Sequence, residues 1–353
     1  MHHKERNVFQ RVLGWLINEA VLVDFLSGLS TAVLLVVIAV CVVLLSKGAD
    51  WMIDGVVELA RRTGLPRVVI GATVISLGTT APEAFVSVMA AFMGNAGLAL
   101  GNGVGSIIAD TGLIFGLTCL FSRVPVQREI LNRTGWVQVG AATLLVAIAV
   151  VKKFSLSSPP VLGRSIGILF LVLLVIYLFM TYRWARSGAG DDPVETDDDG
   201  VEEMSVMASW GLIISGLFFV IAAARILVPA ASEIASRFGV PDDVIAATMV
   251  AFGTSLPELI TALSAIKKGY PEITVGNIVG ADVLNCLFVI GAAATARPLA
   301  IEPNFYLFHF PVMLIILWSL RGFISINRDH YFKKWQGAWL LGIYLVYIAL
   351  QYG

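Results

Sequence analysis

The chain has 353 residues, of which 58% are hydrophobic and 14% charged, with a formal net charge of −1. This balance excludes a soluble globular protein of that length, which needs far more charge to stay in water. It offers no basic cluster for nucleic acid, and no nucleic-acid partner is expected. Apolar runs of about 20 residues, the length that crosses a bilayer, recur along the whole chain, so its surroundings are membrane lipid.

In chain order, residues 1–27 read as an N-terminal interfacial segment. Arg11, Glu19 and Asp24 interrupt any signal-peptide core, and Val8 to Val23 has the pattern of an amphipathic helix lying on the membrane. Ten spans follow, at about 28–60, 66–93, 98–121, 135–151, 162–182, 208–237, 241–267, 273–295, 304–321 and 336–352. The first and sixth are too long to stand upright and should tilt or project beyond the bilayer. The fold class expected is therefore an all-α integral membrane protein with two five-helix units, 28–183 and 208–353. Between them, residues 184–207 form an acidic linker carrying Asp191, Asp192, Glu195, Asp197, Asp198, Asp199, Glu202 and Glu203. With ten spans, fourteen lysines and arginines, among them Arg61, Arg62, Lys267 and Lys268, fall on one side, and eight fall on the other. The richer side is expected to be cytoplasmic. Both termini then lie outside, and the linker lies inside. Cys41, Cys119 and Cys286 sit singly in apolar runs and read as core residues.

The most informative feature is an internal repeat at an offset of 175 residues. Gly78, Thr79, Pro82 and Glu83 recur as Gly253, Thr254, Pro257 and Glu258. Gly101, Asn102, Val104 and Gly105 recur as Gly276, Asn277, Val279 and Gly280. Arg62, Gly64 and Pro66 recur as Arg237, Gly239 and Pro241. An odd number of spans per copy turns the second copy upside down relative to the first. Inverted repeats of this kind belong to secondary transporters, with the ion site near the midplane where the copies meet.

Within each copy the chemistry concentrates in two helices. Pro82 and Pro257 lack a backbone N–H and should break the second and seventh spans, freeing carbonyls for hard cations. Glu83 and Glu258 then fall in the first turn of a restarted helix, favoured by its dipole. In the next helix Asn102, Ser106 and Asp110 are spaced by four and form one polar stripe, as do Asn277, Ala281 and Asn285. Gly101 with Gly105, and Gly276 with Gly280, have the spacing that lets helices approach closely. For Asn102 and Asn277 an interhelical hydrogen bond competes with an ion-binding role. An ionised acid at the bilayer centre costs roughly 2.5–3.5 kcal/mol, so Glu83, Glu258 and Asp110 together cost about 7–10 kcal/mol if unoccupied. Bound cations offset that cost. An all-oxygen ligand set suits Ca²⁺ and Na⁺ rather than zinc or copper. Three acids give a formal charge of −3, which one Ca²⁺ reduces to −1 and three Na⁺ to zero. A site that either ion set can satisfy in turn favours exchange over leak.

These paired G-T-[ST]-x-P-E and G-N-x-x-G segments resemble those of the cation/calcium antiporter superfamily, specifically the sodium/calcium exchangers and their bacterial relatives. The resemblance covers Ser30 to Tyr352. It implies ten helices, of which the first and sixth slide across a rigid core of eight. It implies Glu83 and Glu258 as shared ligands of the central ions, with backbone carbonyls from Thr79, Thr254, Ser76 and Ala251. Thr80, Ser255 and Ser106 would add side-chain or nearby contacts. Well-known exchangers often carry Asn in the first stripe and Asp in the second. Asp110 and Asn285 reverse that order and keep the carboxylate count. Ala281 stands where the family has Ser, which removes a hydroxyl from an outer Na⁺ site and bears on the three-sodium stoichiometry.

The reading that follows is Ca²⁺/Na⁺ antiport by a monomer in the cell's inner (plasma) membrane, with no cofactor beyond the transported ions. Ca²⁺/H⁺ exchange is the nearest alternative, because acidic sites can carry protons. A passive cation channel would not need the repeat. A membrane metalloenzyme is disfavoured, because His2, His3, His309 and His330 lie outside the polar core and no HExxH motif occurs.

Overall fold

A computed structural model of the protein describes residues 19–126, 128–154, 160–186, 204–239, 255–327 and 331–352. Its architecture is helical. α1 spans Glu19–Ser27 and α2 Thr31–Thr63. A bent pair follows, α3 over Arg67–Thr79 and α4 over Ala81–Met93. Next come α5 (Ala96–Phe121), α6 (Arg128–Phe154), α7 (Arg164–Arg186) and α8 (Val206–Arg237). The last four are α9 (Leu256–Lys267), α10 (Pro271–Ala296), α11 (Phe305–Ile326) and α12 (Lys334–Tyr352). Seven of these helices are long and apolar enough to cross a membrane, or eight with the α3–α4 pair counted as one span. Two-residue strands, Val161–Leu162 and Leu299–Ala300, pair antiparallel between the loops that precede α7 and follow α10.

Helix ends follow from local sequence. The Ser30 hydroxyl accepts the Val33 N–H at 3.4 Å, which starts α2, and Asn95 Oδ1 accepts the Leu98 N–H at 2.9 Å, which starts α5. The positive-φ glycines repeat with the sequence. Gly64 (66°) and Gly239 (80°) are 175 residues apart, as are Gly94 (87°) and Gly269 (84°). Each closes a helix in the left-handed conformation that glycine tolerates. The ion pairs Arg62–Glu58 (3.1 Å) and Arg237–Glu233 (2.8 Å) occupy matching positions just before the first pair of glycines.

The helices sort by what surrounds them. In the most apolar windows of α2 and α8, 28% of residues are buried, against 83% in α10 and 72% in α5. α2 and α8 carry exposed Val36, Val43, Ile214 and Phe218, a surface that requires lipid. These two helices cross backbone to backbone. A Cβ at Gly48 would stand 2.8 Å from the Gly216 carbonyl, and one at Gly55 would stand 2.6 Å from the Ser209 carbonyl. The remaining helices share a core in which Phe115, Phe170 and Phe310 are almost fully buried.

Helix α1 is described over Glu19–Ser27, and its Leu22 and Leu26 pack against Leu34 and Ala230 of α2 and α8. Residues 1–18 lie outside the described residues, as do 187–203 of the acidic linker. Cys41, Cys119 and Cys286 are buried and free.

Candidate functional site

The break predicted at Pro82 is a 41° bend at Thr80 between α3 and α4. Pro82 occupies the first turn of α4 and has no N–H to give the turn behind it. Glu83 falls in that same first turn, close to its own backbone N–H, and Glu258 does the same at the start of α9 behind Pro257. The Ser76 carbonyl accepts the Thr80 N–H at 2.9 Å and the Thr79 hydroxyl at 3.4 Å. Thr254 and Ala251, expected to supply carbonyls from the second copy, lie outside the described residues.

Glu83, Glu258, Asp110 and Asn285 are each 1% exposed, Ser106 and Ser255 are 3% exposed, and Ser76, Thr79 and Thr80 are fully buried. Glu83, Glu258, Asp110, Asn285, Thr79 and Ser255 come together in one region. The Asn285 amide donates to Asp110 Oδ2 at 3.3 Å across 175 residues of sequence. The charges of Glu83, Asp110 and Glu258 act on one another, the Thr79 hydroxyl lies beside Glu258, and Ser255 lies beside Asp110. Helices α3 and α10 approach closely enough to assemble this region. A Cβ at Gly71 would stand 2.7 Å from the Ile273 carbonyl, and one at Gly280 would stand 2.7 Å from Ser76 Oγ. The expected close approach is thus present at Gly276 and Gly280, which face Val68 and Ala72 of α3. The matching partners of Gly101 and Gly105, residues 243 and 247, lie outside the described residues.

Local backbone geometry marks the same residues. Short π-helical segments begin at Asp110 (Asp110–Phe115) and at Asn285 (Asn285–Val289), and another covers Gly71–Ile75 just before Ser76. Such wide turns recur at functional sites because they reorient side chains and loosen carbonyl hydrogen bonds.

The hydrogen-bond inventory is the most telling feature. Buried side-chain atoms without a partner include both Glu83 oxygens, Glu258 Oε2, Asp110 Oδ1, Asn285 Oδ1 and the hydroxyls of Thr80, Ser106 and Ser255. Buried polar groups are nearly always paired. Here the unpaired atoms are oxygens gathered around three carboxylates, and a cation satisfies oxygens where a donor is lacking.

Asn102 takes the structural alternative. Its amide donates to the Glu83 carbonyl at 3.1 Å and to Ser87 Oγ at 2.9 Å, tying α5 to α4. Both polar atoms of Asn277 have no partner.

A fourth buried acid escaped the sequence reading. Asp282 is 1% exposed, and its Oδ2 accepts from Thr111 Oγ1 and, at 2.5 Å, from Gln138 Nε2 of α6. The repeat hides it, because the offset of 175 aligns Asp282 with Ile107. An acid inside an apolar span is by itself a sufficient signal.

The family model for sodium/calcium exchanger proteins matches residues 33–183 and 208–353. An uncharacterized membrane protein of Methanocaldococcus jannaschii is 31% identical over 307 residues, covering 87% of this chain and 94% of that protein. The inner membrane protein YrbG of Escherichia coli is 32% identical, with coverages of 92% and 97%. The sodium/calcium exchanger MaX1 of Methanosarcina acetivorans is 28% identical, with coverages of 88% and 96%. Among solved structures, the sodium-calcium exchanger NCX_Mj soaked with zero Na⁺ and Ca²⁺ superposes with a TM-score of 0.75 at 28% identity. The match covers 91% of this chain and all of that one. With a buried acidic centre set among apolar helices and matches that run almost end to end, this chain is a membrane protein of the sodium/calcium exchanger family.

Proposed function

We propose that the protein is a secondary active antiporter that exchanges Ca²⁺ for Na⁺ across the membrane by alternating access. The observation that carries this reading is the gathering of the buried carboxylates Glu83, Glu258 and Asp110 with Asn285 and Ser255, each offering an unpaired oxygen, while Thr80 and Ser106 add unpaired buried hydroxyls. Carboxylate, amide and hydroxyl oxygens form a ligand set for hard cations. Empty and ionised, the acids are costly in a membrane interior. Filling the site with Ca²⁺ or with Na⁺ relieves the cost either way, which links the two ions.

In this reading the chain has ten spans arranged as two inverted five-helix repeats, 28–183 and 208–353, preceded by an interfacial segment over 1–27. Backbone carbonyls of Thr79, Thr254, Ser76 and Ala251 complete the coordination. The pair α2 and α8 moves across the remaining helices. The acidic linker 184–207 faces the cytoplasm, both termini face outward, and the monomer is the working unit in the cell's inner membrane. The ions are substrates and no cofactor takes part.

The test is uptake of radioactive Ca²⁺ into proteoliposomes of the full chain under imposed Na⁺, K⁺ and pH gradients. Saturable Ca²⁺ flux that requires Na⁺ on the opposite side supports the reading. Flux driven by a pH gradient alone makes the protein a Ca²⁺/H⁺ exchanger, and flux that needs no counter-ion makes it a channel.

A further inference from the structure

Asp282 stands apart from the ligand set just described, and its surroundings are unusual. Both of its hydrogen-bond donors, Thr111 Oγ1 and Gln138 Nε2, go to the same oxygen, Oδ2. Oδ1 has no partner, and neither has Gln138 Oε1, the other end of the amide that holds the carboxylate. Asp282 and Gln138 are each 1% exposed and Thr111 is fully buried. Three helices, α10, α5 and α6, thus bring two orphaned oxygens to one buried place.

No positive side chain offsets the acid. Arg321 is the one buried basic residue among the described residues, and it is committed elsewhere, donating to Asn132 and lying 4.3 Å from the Trp136 ring. The neighbouring charge is negative, because Asp110 lies in the field of Asp282. A buried carboxylate in this position needs a cation. Oxygen ligands select a hard one. A single carboxylate balances a single charge, and the Asp110 carboxylate belongs to the Glu83–Glu258 centre, so a monovalent ion matches what Asp282 itself supplies.

We infer that Asp282 Oδ1 and Gln138 Oε1 form a monovalent alkali-cation site beside the Glu83–Glu258 centre. Its place in a transport cycle rests on the exchange reading, but its existence as a binding site does not. The site brings the buried acids to Glu83, Glu258, Asp110 and Asp282, and it adds one alkali cation to the number the protein holds.

The local geometry supplies a discriminating variant. Because Oδ2 alone accepts the two hydrogen bonds, Asp282→Asn can present its carbonyl oxygen to Thr111 and Gln138 while its amide replaces the free oxygen. The helix-to-helix tie is kept and the cation ligand is lost. The experiment measures equilibrium binding of radioactive Na⁺, and separately of Rb⁺ as the K⁺ probe, to the purified full chain. The same preparations are followed for thermal stability and Ca²⁺ binding. The expected result is one fewer bound alkali cation per chain at saturation in Asp282→Asn, with Ca²⁺ binding and melting temperature retained. The ion whose count falls identifies Na⁺ or K⁺ as the occupant. Gln138→Met removes Oε1 while keeping the acid, and it should weaken binding of the same ion. It provides the test if Asp282→Asn does not fold. Unchanged Na⁺ and Rb⁺ counts in the folded variants overturn the site. So does release of a proton in place of an alkali cation on neutralising Asp282. Wild-type protein that binds the ion but shows no Na⁺-driven Ca²⁺ flux leaves the site standing and removes the exchange reading.

Discussion

Helix α5 places Ser106, Asp110 and Thr111 where α10 places Ala281, Asn285 and Cys286, and α10 places Asp282 where α5 places Ile107. Ser87, which anchors Asn102, has Ala262 as its counterpart, and Asn277 is left without a partner. The backbone repeats faithfully over the same stretch, with left-handed glycines at matching positions and π-helical segments beginning at Asp110 and Asn285. The two copies therefore share what shapes the helices and differ in which oxygens they offer. A transporter that presents similar faces in two orientations needs the first kind of likeness. The choice and number of ions depends on the second.

The largest effect should come from the residues on which both copies agree. On the proposed exchange reading, Glu83→Gln and Glu258→Gln each remove a charge that both ion sets would use. Each should reduce Na⁺-driven Ca²⁺ uptake by about 100-fold or more, beyond the loss usual for residues that only support a ligand, with the protein still folded. Near-normal uptake by either variant would remove the proposed centre and with it the likeness of the copies.

The next test concerns the position where the copies trade residues. Asp110 and Asn285 are hydrogen-bonded to each other across the centre, so the carboxylate can be moved from one copy to the other. Asp110→Asn alone should impair Na⁺ coupling. Adding Asn285→Asp restores the charge and should recover part of the Na⁺-dependent uptake. No recovery in a well-folded double variant means that the side bearing the carboxylate matters more than the charge count.

A smaller effect is expected where the backbones touch. Gly48→Ala puts a methyl group 2.8 Å from the Gly216 carbonyl and 2.9 Å from Phe219 Cβ. Overpacking of this kind should cost about 1–3 kcal/mol and lower the melting temperature in detergent. Gly211→Ala, with no described atom within 4 Å, should leave stability unchanged and serves as its control.

The smallest effect separates the two asparagines. Asn102→Ala breaks the bonds to the Glu83 carbonyl and Ser87 and should cost about 0.5–1.5 kcal/mol of stability. Asn277→Ala breaks none and should be close to neutral in melting temperature. Equal losses in thermal unfolding would contradict the division of labour drawn between the two copies.

Much of this was legible in the sequence, for physical reasons that differ by feature. Pro82 announces its bend because a missing N–H acts locally, whatever surrounds it, while the stretch before Pro257 lies outside the described residues. Glu83, Glu258 and Asp110 stand out because an acid in an apolar span needs a partner. The lengths of α2 and α8 follow from the runs that encode them. The wide turns at Asp110 and Asn285 were not legible, because a π segment arises from packing between helices and has no residue signature of its own. Asp282 was lost for the opposite reason. A comparison of copies rewards what repeats, and this residue is where they part. The tie from Gln138 was beyond reach too, since it joins helices 144 residues apart in sequence.

The contact at Gly48 and Gly216 carries a mechanical consequence. Where two helices meet through long side chains, a layer of rotamers can shear and one helix can slip past the other. Here carbonyl and α-carbon meet directly, and nothing deformable lies between them. In the proposed exchange cycle, α2 and α8 would therefore be displaced as one body. Withdrawing such a body from one face of the membrane would advance it toward the other, so opening and closing would be a single event seen from two sides. On that reading a leak open to both faces would require the pair to come apart, against the close backbone contact that two missing side chains allow.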